Sequence, residues 1–219
     1  MQSQRRRLAV LQVPLAMSRE EATDPGWLAW IEVQKAATRL WMQGDSEAAV
    51  GVIDRYLEQE PRLDLKRQAI GFRGSIHEEQ GDLGAAKNDF STAHELSEQA
   101  DFERYTLLLS LGGIAERRGS FEEADSWYWA ALQTAADDPK TSGAGGLLRL
   151  LRLRAQRGLT EQERRLAEKV MHQAWSLLRV EGEPDLRDLV ATAKKLIEAQ
   201  KRPFSAERPP SPQAYTPPS

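Results

Sequence analysis

The chain has 219 residues, of which 40% are hydrophobic and 29% are charged, with a formal net charge of −3. It contains no cysteine, which excludes disulfide bonds, thiolate zinc sites and cysteine nucleophiles. The charge is uneven: residues 18–139 carry 24 acidic and 12 basic side chains, whereas residues 140–202 carry 8 and 14. The two parts can therefore attract partner surfaces of opposite sign.

The first residues combine a basic start with a short apolar run. Residues 5–17 read RRRLAVLQVPLAM, and Gln12 and Pro14 interrupt the apolar part. This run is too short to cross a bilayer, and no small-x-small cleavage site follows it. We therefore expect an N-terminal extension over residues 1–24, no membrane partner and a cytoplasmic location.

The next segment has the pattern of two helices joined by a short break. Asp24 and Pro25 form a typical helix start, with aspartate as N-cap and proline at the first helical position. Apolar residues then recur with helical period, at Trp27, Trp30, Ile31, Leu40 and Trp41. The pattern stops at Gly44, and a second helix is predicted from about residue 47 to 58, before Pro61. No window of the chain alternates with period two, which predicts an all-α fold.

The same arrangement recurs twice farther along the chain. Residues 70–77 (Ile-x2-Arg-Gly-x2-His) precede Gly81, and Ala86-x3-Phe90 follows it. Residues 108–115 (Leu-x2-Leu-Gly-x2-Ala) precede Gly119, and Ala124-x3-Tyr128 follows it. A weaker copy surrounds Gly44, with Val-x2-Ala-Ala-x2-Leu over residues 33–40 and then Ala49-x3-Ile53.

Over residues 26–136 the chain therefore resembles the tetratricopeptide-repeat family, whose signature is Trp-x2-Leu-Gly-x2-Tyr, then Ala-x3-Phe, then Pro. The resemblance implies a right-handed α-solenoid of antiparallel helix pairs, with repeats at about 26–61, 63–98 and 101–136. The breaks are 37 and 38 residues apart rather than about 34. This leaves the superhelical pitch open.

The repeated positions suggest how the two helices of each pair pack. Small residues on the first helix would permit close approach, namely Ala37, Gly74 and Gly112. Small residues on the second helix would face them, namely Ala49, Ala86 and Ala124. Large residues would fill the space toward the next repeat, namely Ile53, Phe90 and Tyr128.

The repeat pattern fades after residue 139. We predict a short helix over about 146–156, a long helix opened by the capping box Thr160-x2-Glu163 and ending near 180, and a last helix over about 186–201. We interpret residues 146–202 as a degenerate fourth pair and a closing helix, which complete a solenoid domain over residues 25–202. Residues 203–219 are rich in proline and poor in large aliphatic residues, which predicts a disordered tail with polyproline II bias.

No residue pattern indicates catalysis. The histidines, His77, His94 and His172, lie far apart in the repeat map, and no second histidine completes a zinc helix. The glycine-rich residues 143–146 lack the following Lys-Ser/Thr of a phosphate loop. We expect a non-enzymatic protein without a metal or another cofactor.

The densest basic stretch consists of Arg149, Arg152, Arg154, Arg157, Arg164, Arg165 and Lys169. It could bind an acidic protein segment or nucleic-acid phosphates, or it could be a helix surface paired internally with Glu161, Glu163 and Glu168. The acidic body and the absence of interleaved aromatic residues disfavour nucleic acid. Trp127 and Trp129 flank Tyr128, so at least one of them is expected at a repeat boundary or an interface.

The resemblance also implies a concave groove lined by the first helix of each pair, in which a segment of a partner protein binds. The positions that match the groove are Gln34, Thr38, Trp41, Gln68, Gly71, Ser75, Glu78, Thr106, Leu109, Gly113, Glu116, Arg149 and Arg152. Trp41 is the expected aromatic anchor, and Arg149 and Arg152 the charged end. Two functions stay open: an adaptor or scaffold that holds a partner segment, and an inhibitor or regulator whose acidic body blocks a basic partner surface. The oligomeric state is not indicated.

Overall fold

The computed structural model describes residues 23–97, 102–138, 143–154, 159–181 and 184–200. These residues form nine α-helices and no strand, which confirms the all-α prediction for the described part of the chain. The helices are α1 (Pro25–Met42), α2 (Ser46–Leu57), α3 (Leu63–Gln80), α4 (Leu83–Glu95), α5 (Phe102–Arg117), α6 (Phe121–Asp137), α7 (Ala144–Leu153), α8 (Glu161–Glu181) and α9 (Pro184–Gln200). None of the helices described is long and apolar enough to cross a membrane.

A glycine followed by a capping residue forms the turn within each of the first three pairs. Gly44, Gly81 and Gly119 have φ angles of 87°, 85° and 77°, a left-handed conformation that glycine adopts without steric cost. The next residue starts the second helix. Asp45 accepts a hydrogen bond from the backbone N–H of Ala48 at 3.0 Å, and Asp82 accepts one from the N–H three residues on at 2.9 Å. These short turns bring α1 against α2, α3 against α4, and α5 against α6.

The two helices of a pair approach most closely where a glycine meets an aromatic ring. A Cβ atom placed on Gly112 would lie 2.3 Å from Cε1 of Tyr128, and one placed on Gly74 would lie 3.0 Å from Cε1 of Phe90. Both rings are buried, as are the small residues Ala86 and Ala124 beside them. The predicted close approach at Gly74 and Gly112 is therefore present. The nearest side chains to these glycines are Phe90 and Tyr128 of the same pair, however, and not the predicted Ala86 and Ala124.

The core of the first pair is built from aromatic side chains. The Trp30 ring lies 5.4 Å from the Tyr56 ring and 6.3 Å from the Phe72 ring, between ring centres. Trp41 meets Phe72 edge to face at 5.9 Å. Because Phe72 belongs to α3, this aromatic cluster joins the first pair to the second.

The last three helices close the end of the molecule. Helix α7 packs on α6, α8 packs on α6 and α7, and α9 covers α7 and α8 with Ala193 and Ile197 buried in the shared core. The predicted capping box is present, because the N–H of Thr160 donates to Glu163 and the N–H of Glu163 donates to the Thr160 hydroxyl, at 2.7 and 3.3 Å. Helix α7 starts two residues earlier than predicted, after Gly143 in a left-handed conformation. Residues 1–22 and 201–219 lie outside the described residues, so the predicted domain division stays a prediction.

Candidate functional site

The thirteen predicted groove residues lie on α1, α3, α5 and α7, and their exposure divides them into three groups. Glu116 and Arg152 are exposed. Nine are half-buried: Gln34, Gln68, Gly71, Ser75, Glu78, Thr106, Leu109, Gly113 and Arg149. Thr38 and Trp41 are buried, with 4% and 2% of their surface exposed. We call the surface formed by the eleven accessible residues the first-helix face.

The burial of Trp41 corrects its prediction as an aromatic anchor for a partner. Its indole packs against Phe72 and belongs to the core that connects α1 with α3. Thr38, one turn earlier on α1, is buried as well. Neither side chain can contact a bound segment in this conformation, because both are buried.

Several polar groups of the first-helix face are already used by hydrogen bonds within the chain. Gln68 accepts a bond from Nε1 of Trp30 at 3.0 Å. The Ser75 hydroxyl donates to the carbonyl of Gly71 at 3.2 Å, and the Thr106 hydroxyl donates to the carbonyl of Glu103 at 2.7 Å. Three polar groups of this part of the face, on α3 and the start of α5, are therefore engaged within the chain.

Predicted residues from α5 and α7 meet around the phenol of Tyr128. The Tyr128 hydroxyl donates to Oε2 of Glu116 at 2.7 Å. Nη1 of Arg149 lies 3.5 Å from the same phenol oxygen and 3.4 Å from the carbonyl oxygen of Leu109. The guanidinium carbon lies 5.7 Å from the centre of the Tyr128 ring, within the range of a cation–π contact. Burial and the bond to Glu116 raise the pKa of Tyr128 to about 12, so the phenol stays protonated and orients both charged groups at neutral pH.

Gly113 shapes the position of Arg149. A Cβ atom at residue 113 would lie 3.1 Å from Nη1 of Arg149, closer than ordinary contacts allow. The absence of a side chain therefore lets the guanidinium lie along the surface of α5. The structure brings Leu109, Gly113, Glu116 and Arg149 together, and their role in binding a partner stays a prediction.

Arg149 differs from Arg73 and Arg154 in its partners. Among the residues described, no carboxylate forms an ion pair with Arg149, whose bonds go to a phenol and a carbonyl at 3.4–3.5 Å. Arg73 and Arg154, in contrast, each contact two carboxylates at 2.5–2.6 Å. A guanidinium with weak neutral partners can still donate a paired hydrogen bond to an external carboxylate. Arg152, exposed and three residues farther along α7, adds a second positive charge nearby.

The Arg73 network is a feature that sequence reasoning missed. Arg73 on α3 donates to Asp89 on α4 and to Asp54 on α2, both at 2.6 Å, and Nδ1 of His77 lies 3.1 Å from Asp89. The bond to Asp89 is the largest cause of a raised pKa for Arg73. The network ties three helices together and gives His77 a structural role. The only signal in the sequence is that Arg73 and Asp89 are charged at repeat positions where the other two copies have apolar residues.

The rest of the basic stretch is paired within the chain. Arg154 is 5% exposed and donates to Asp125 at 2.5 and 2.6 Å and to Glu163 at 2.6 Å. Arg164 and Arg165 both contact Glu161, at 3.3 and 3.2 Å. Internal pairing therefore accounts for these three arginines, and Arg157 lies outside the described residues. Within the described ranges, no group of three or more histidine and acidic side chains could hold a metal ion.

The two tryptophans beside Tyr128 lie at different boundaries. The Trp127 ring meets the His94 ring edge to face at 6.0 Å, so it packs toward the preceding pair. The Trp129 ring lies under the guanidinium of Arg154 at 5.2 Å, so it faces the following helices. Both side chains are half-buried, in agreement with the expectation that they cannot both point into the core of their own pair.

Comparison with known proteins identifies the fold. No protein-family model matches the sequence, and no curated protein matches it. Among solved structures, a tetratricopeptide repeat protein from Parabacteroides merdae ATCC 43184 superimposes with a TM-score of 0.50 and 17% sequence identity. The match covers 78% of this chain and 61% of the other chain, so this chain spans less than two thirds of that protein's length. Together with the repeated helix pairs, this similarity shows that the described chain has a tetratricopeptide-repeat-like α-solenoid fold.

Proposed function

We propose that this protein is a non-enzymatic adaptor that holds an acidic segment of a partner protein on the first-helix face, with Arg149 bound to a carboxylate of that segment. The fold supports the general part of this proposal, since helical-repeat solenoids present extended binding surfaces. The surroundings of Arg149 support the specific part.

The observation that carries the proposal is a half-buried guanidinium whose only described hydrogen bonds are long and go to uncharged groups. Burial removes part of its hydration, and the two neutral acceptors replace that hydration incompletely. A hydrogen bond to a charged group contributes roughly 1.5–3 kcal/mol, about twice as much as one between neutral groups. A partner carboxylate would therefore gain more from Arg149 than from an ordinary exposed arginine.

The neighbours of Arg149 also limit the positions that its guanidinium can take. Tyr128 has no exposed surface and cannot move away without opening the core of the third pair. Its phenol bonds Glu116 and thereby keeps that carboxylate on the phenol rather than on the guanidinium. The Tyr128 ring and the backbone at Gly113 enclose the Arg149 guanidinium on the side of α5, and a side chain restricted in this way before binding loses less entropy on association.

The alternative of an inhibitor that presents an acidic surface has less support. Four acidic side chains form ion pairs with Arg73 or Arg154 of the same chain and are partly neutralised by them, namely Asp54, Asp89, Asp125 and Glu163. An adaptor should bind a short peptide of its partner, whereas an occluding inhibitor needs the folded partner. A cytoplasmic location remains a prediction of the sequence.

The proposal can be tested by quantitative affinity capture with three forms of the full chain. Proteins retained by the wild type are compared with those retained by Arg149→Gln and by Arg55→Gln, a matched loss of positive charge on the exposed side of α2. We expect a partner that is retained by the wild type and by Arg55→Gln and is lost with Arg149→Gln. Peptides that tile this partner should then include an acidic one that binds alone. Equal retention by all three forms would reject a role for Arg149.

A further inference from the structure

A second surface, which we call the Trp129 cleft, lies between α6 and α8. These are second helices of their pairs, so the cleft is separate from the first-helix face. It has a volume of about 630 Å³ and is lined by Trp129, Gln133 and Asp137 of α6 and by Gln162, Arg165 and Leu166 of α8. The lining residues of α6 are four residues apart, and those of α8 are three or four residues apart from their neighbours across one turn. Each group therefore lies along one side of its helix.

The cleft combines a fixed aromatic ring with polar walls. Arg154 lies over Trp129 at 5.2 Å and is itself held by Asp125 and Glu163, which fixes the indole in position. Leu166, also half-buried, lines the cleft from α8. The exposed amides of Gln133 and Gln162 contribute hydrogen-bond donors from opposite walls. Aromatic-lined grooves with such donors bind polyproline II segments, whose backbone carbonyls make no internal hydrogen bonds.

The chain itself contains a segment of this chemistry. Residues 207–212 read Glu-Arg-Pro-Pro-Ser-Pro, within the proline-rich residues 203–219 outside the described structure. We propose that residues 207–212 dock in the Trp129 cleft of the same molecule, with proline rings on the indole and backbone carbonyls on the two glutamine amides. This surface and its occupant are independent of the partner proposed for Arg149.

The end of α9 places this segment within reach. Helices α8 and α9 contact each other and are joined by two residues only, so they run antiparallel. Ile197, near the end of α9, is buried in the same core cluster as Ala167 of α8, so the end of α9 lies close to the part of α8 that lines the cleft. A polyproline II segment of nine residues spans about 28 Å at about 3.1 Å per residue, which exceeds the diameter of a helix, about 10–12 Å.

The charges of the segment match those of the cleft walls. Asp137 lines the cleft from α6, and Arg165 and Lys169 line it from α8. In the segment, Glu207 and Arg208 directly precede the prolines. Arg208 can pair with Asp137 while Glu207 lies on the basic side, which fixes one direction of the docked segment.

The absence of native cysteine permits a direct test on the full chain. A nitroxide is attached to Ser211→Cys, the only thiol, and the indole N–H signals of the six tryptophans are recorded by NMR. We expect loss of the Trp129 signal, which returns when the nitroxide is reduced. The Trp30 signal should persist, because its buried indole lies on α1 at the other end of the chain, bonded to Gln68.

A charge exchange distinguishes docking from random proximity. Arg208→Glu should restore the Trp129 signal in the oxidised state, and adding Asp137→Arg should abolish it again. Persistence of the Trp129 signal in the Ser211→Cys chain, or equal loss at Trp129 and Trp30, would overturn the proposal. A spin-labelled chain mixed with an unlabelled, isotope-enriched chain should leave Trp129 unchanged. Loss of the signal in that mixture would mean that the tail of a second copy occupies the cleft, which also contradicts the proposal.

Discussion

Replacing Gly112 by alanine tests the packing on which the repeat fold depends. A Cβ atom there would lie 2.3, 2.5 and 3.0 Å from Cε1, Cδ1 and Cζ of Tyr128, a ring with no exposed surface. The ring cannot rotate away freely, because it is enclosed and its hydroxyl bonds Glu116. Overpacking of this kind costs about 1–3 kcal/mol of unfolding free energy. Helix propensity acts in the other direction, since alanine is favoured over glycine by about 1 kcal/mol.

Gly51 provides the matched control, because it is also a helical glycine but a Cβ atom placed on it would have no neighbouring atom within 4 Å. Gly51→Ala should therefore raise the unfolding free energy by about 0.5–1 kcal/mol, whereas Gly112→Ala should lower it. Urea denaturation followed by circular dichroism measures both. In the double variant Gly112→Ala with Tyr128→Leu, the two effects should be less than additive, because the smaller side chain relieves the overlap. A Gly112→Ala protein as stable as Gly51→Ala would refute the packing argument.

Three further predictions concern the core and its polar groups. Trp41→Ala should lower the unfolding free energy by about 3–5 kcal/mol, because it removes a buried aromatic side chain. Thermal or urea denaturation measures this loss, and a stability equal to that of the wild type would contradict the assignment of Trp41 to the core. Asp89→Ala should cost about 3 kcal/mol, because it leaves Arg73 partly buried without the 9% exposed carboxylate that accepts two of its hydrogen bonds. Asp54→Ala should cost less than about 1 kcal/mol, because that carboxylate is 44% exposed. Equal losses would argue against the network as described. Burial raises the pKa of Tyr105 to about 12, above about 10 in the unfolded chain, so its contribution is complete below pH 10 and is lost as the pH rises from about 10 to 12. Denaturation series at these pH values should show a smaller decline for Tyr105→Phe, and an identical decline would contradict this origin.

The sequence predicted the fold because its determinants are local. A left-handed glycine defines each turn within a few residues, and in two of the three turns the next residue is a capping aspartate. In the second helix of each pair, an alanine is followed four residues later by a large residue, namely Ile53, Phe90 or Tyr128. Both signals remain recognisable although the repeats are 37 and 38 residues long rather than about 34, because neither signal depends on contacts between distant parts of the chain.

The failures concern residues whose role depends on a distant partner. Trp41 occupies a groove position by its place in the repeat, yet Phe72 of the next pair covers it. Arg149 and Arg154 belong to one basic run, but only Arg154 lies beside a carboxylate from α6, that of Asp125, 29 residues earlier in the chain. Which arginine becomes internally paired is decided by packing between repeats, and a single sequence does not contain that information in any local pattern.

The most direct test of the proposed function is the affinity of the isolated partner peptide for Arg149 variants, measured by isothermal titration of the full chain. We expect Arg149→Gln to weaken binding about tenfold or more, corresponding to about 1.4 kcal/mol or more. Arg149→Lys should fall between the wild type and Arg149→Gln, because lysine keeps the charge but lacks the paired donors. Arg55→Gln should bind as the wild type does. Wild-type affinity of Arg149→Gln would contradict the account, since the partner would then bind without the guanidinium on which the proposed site is built.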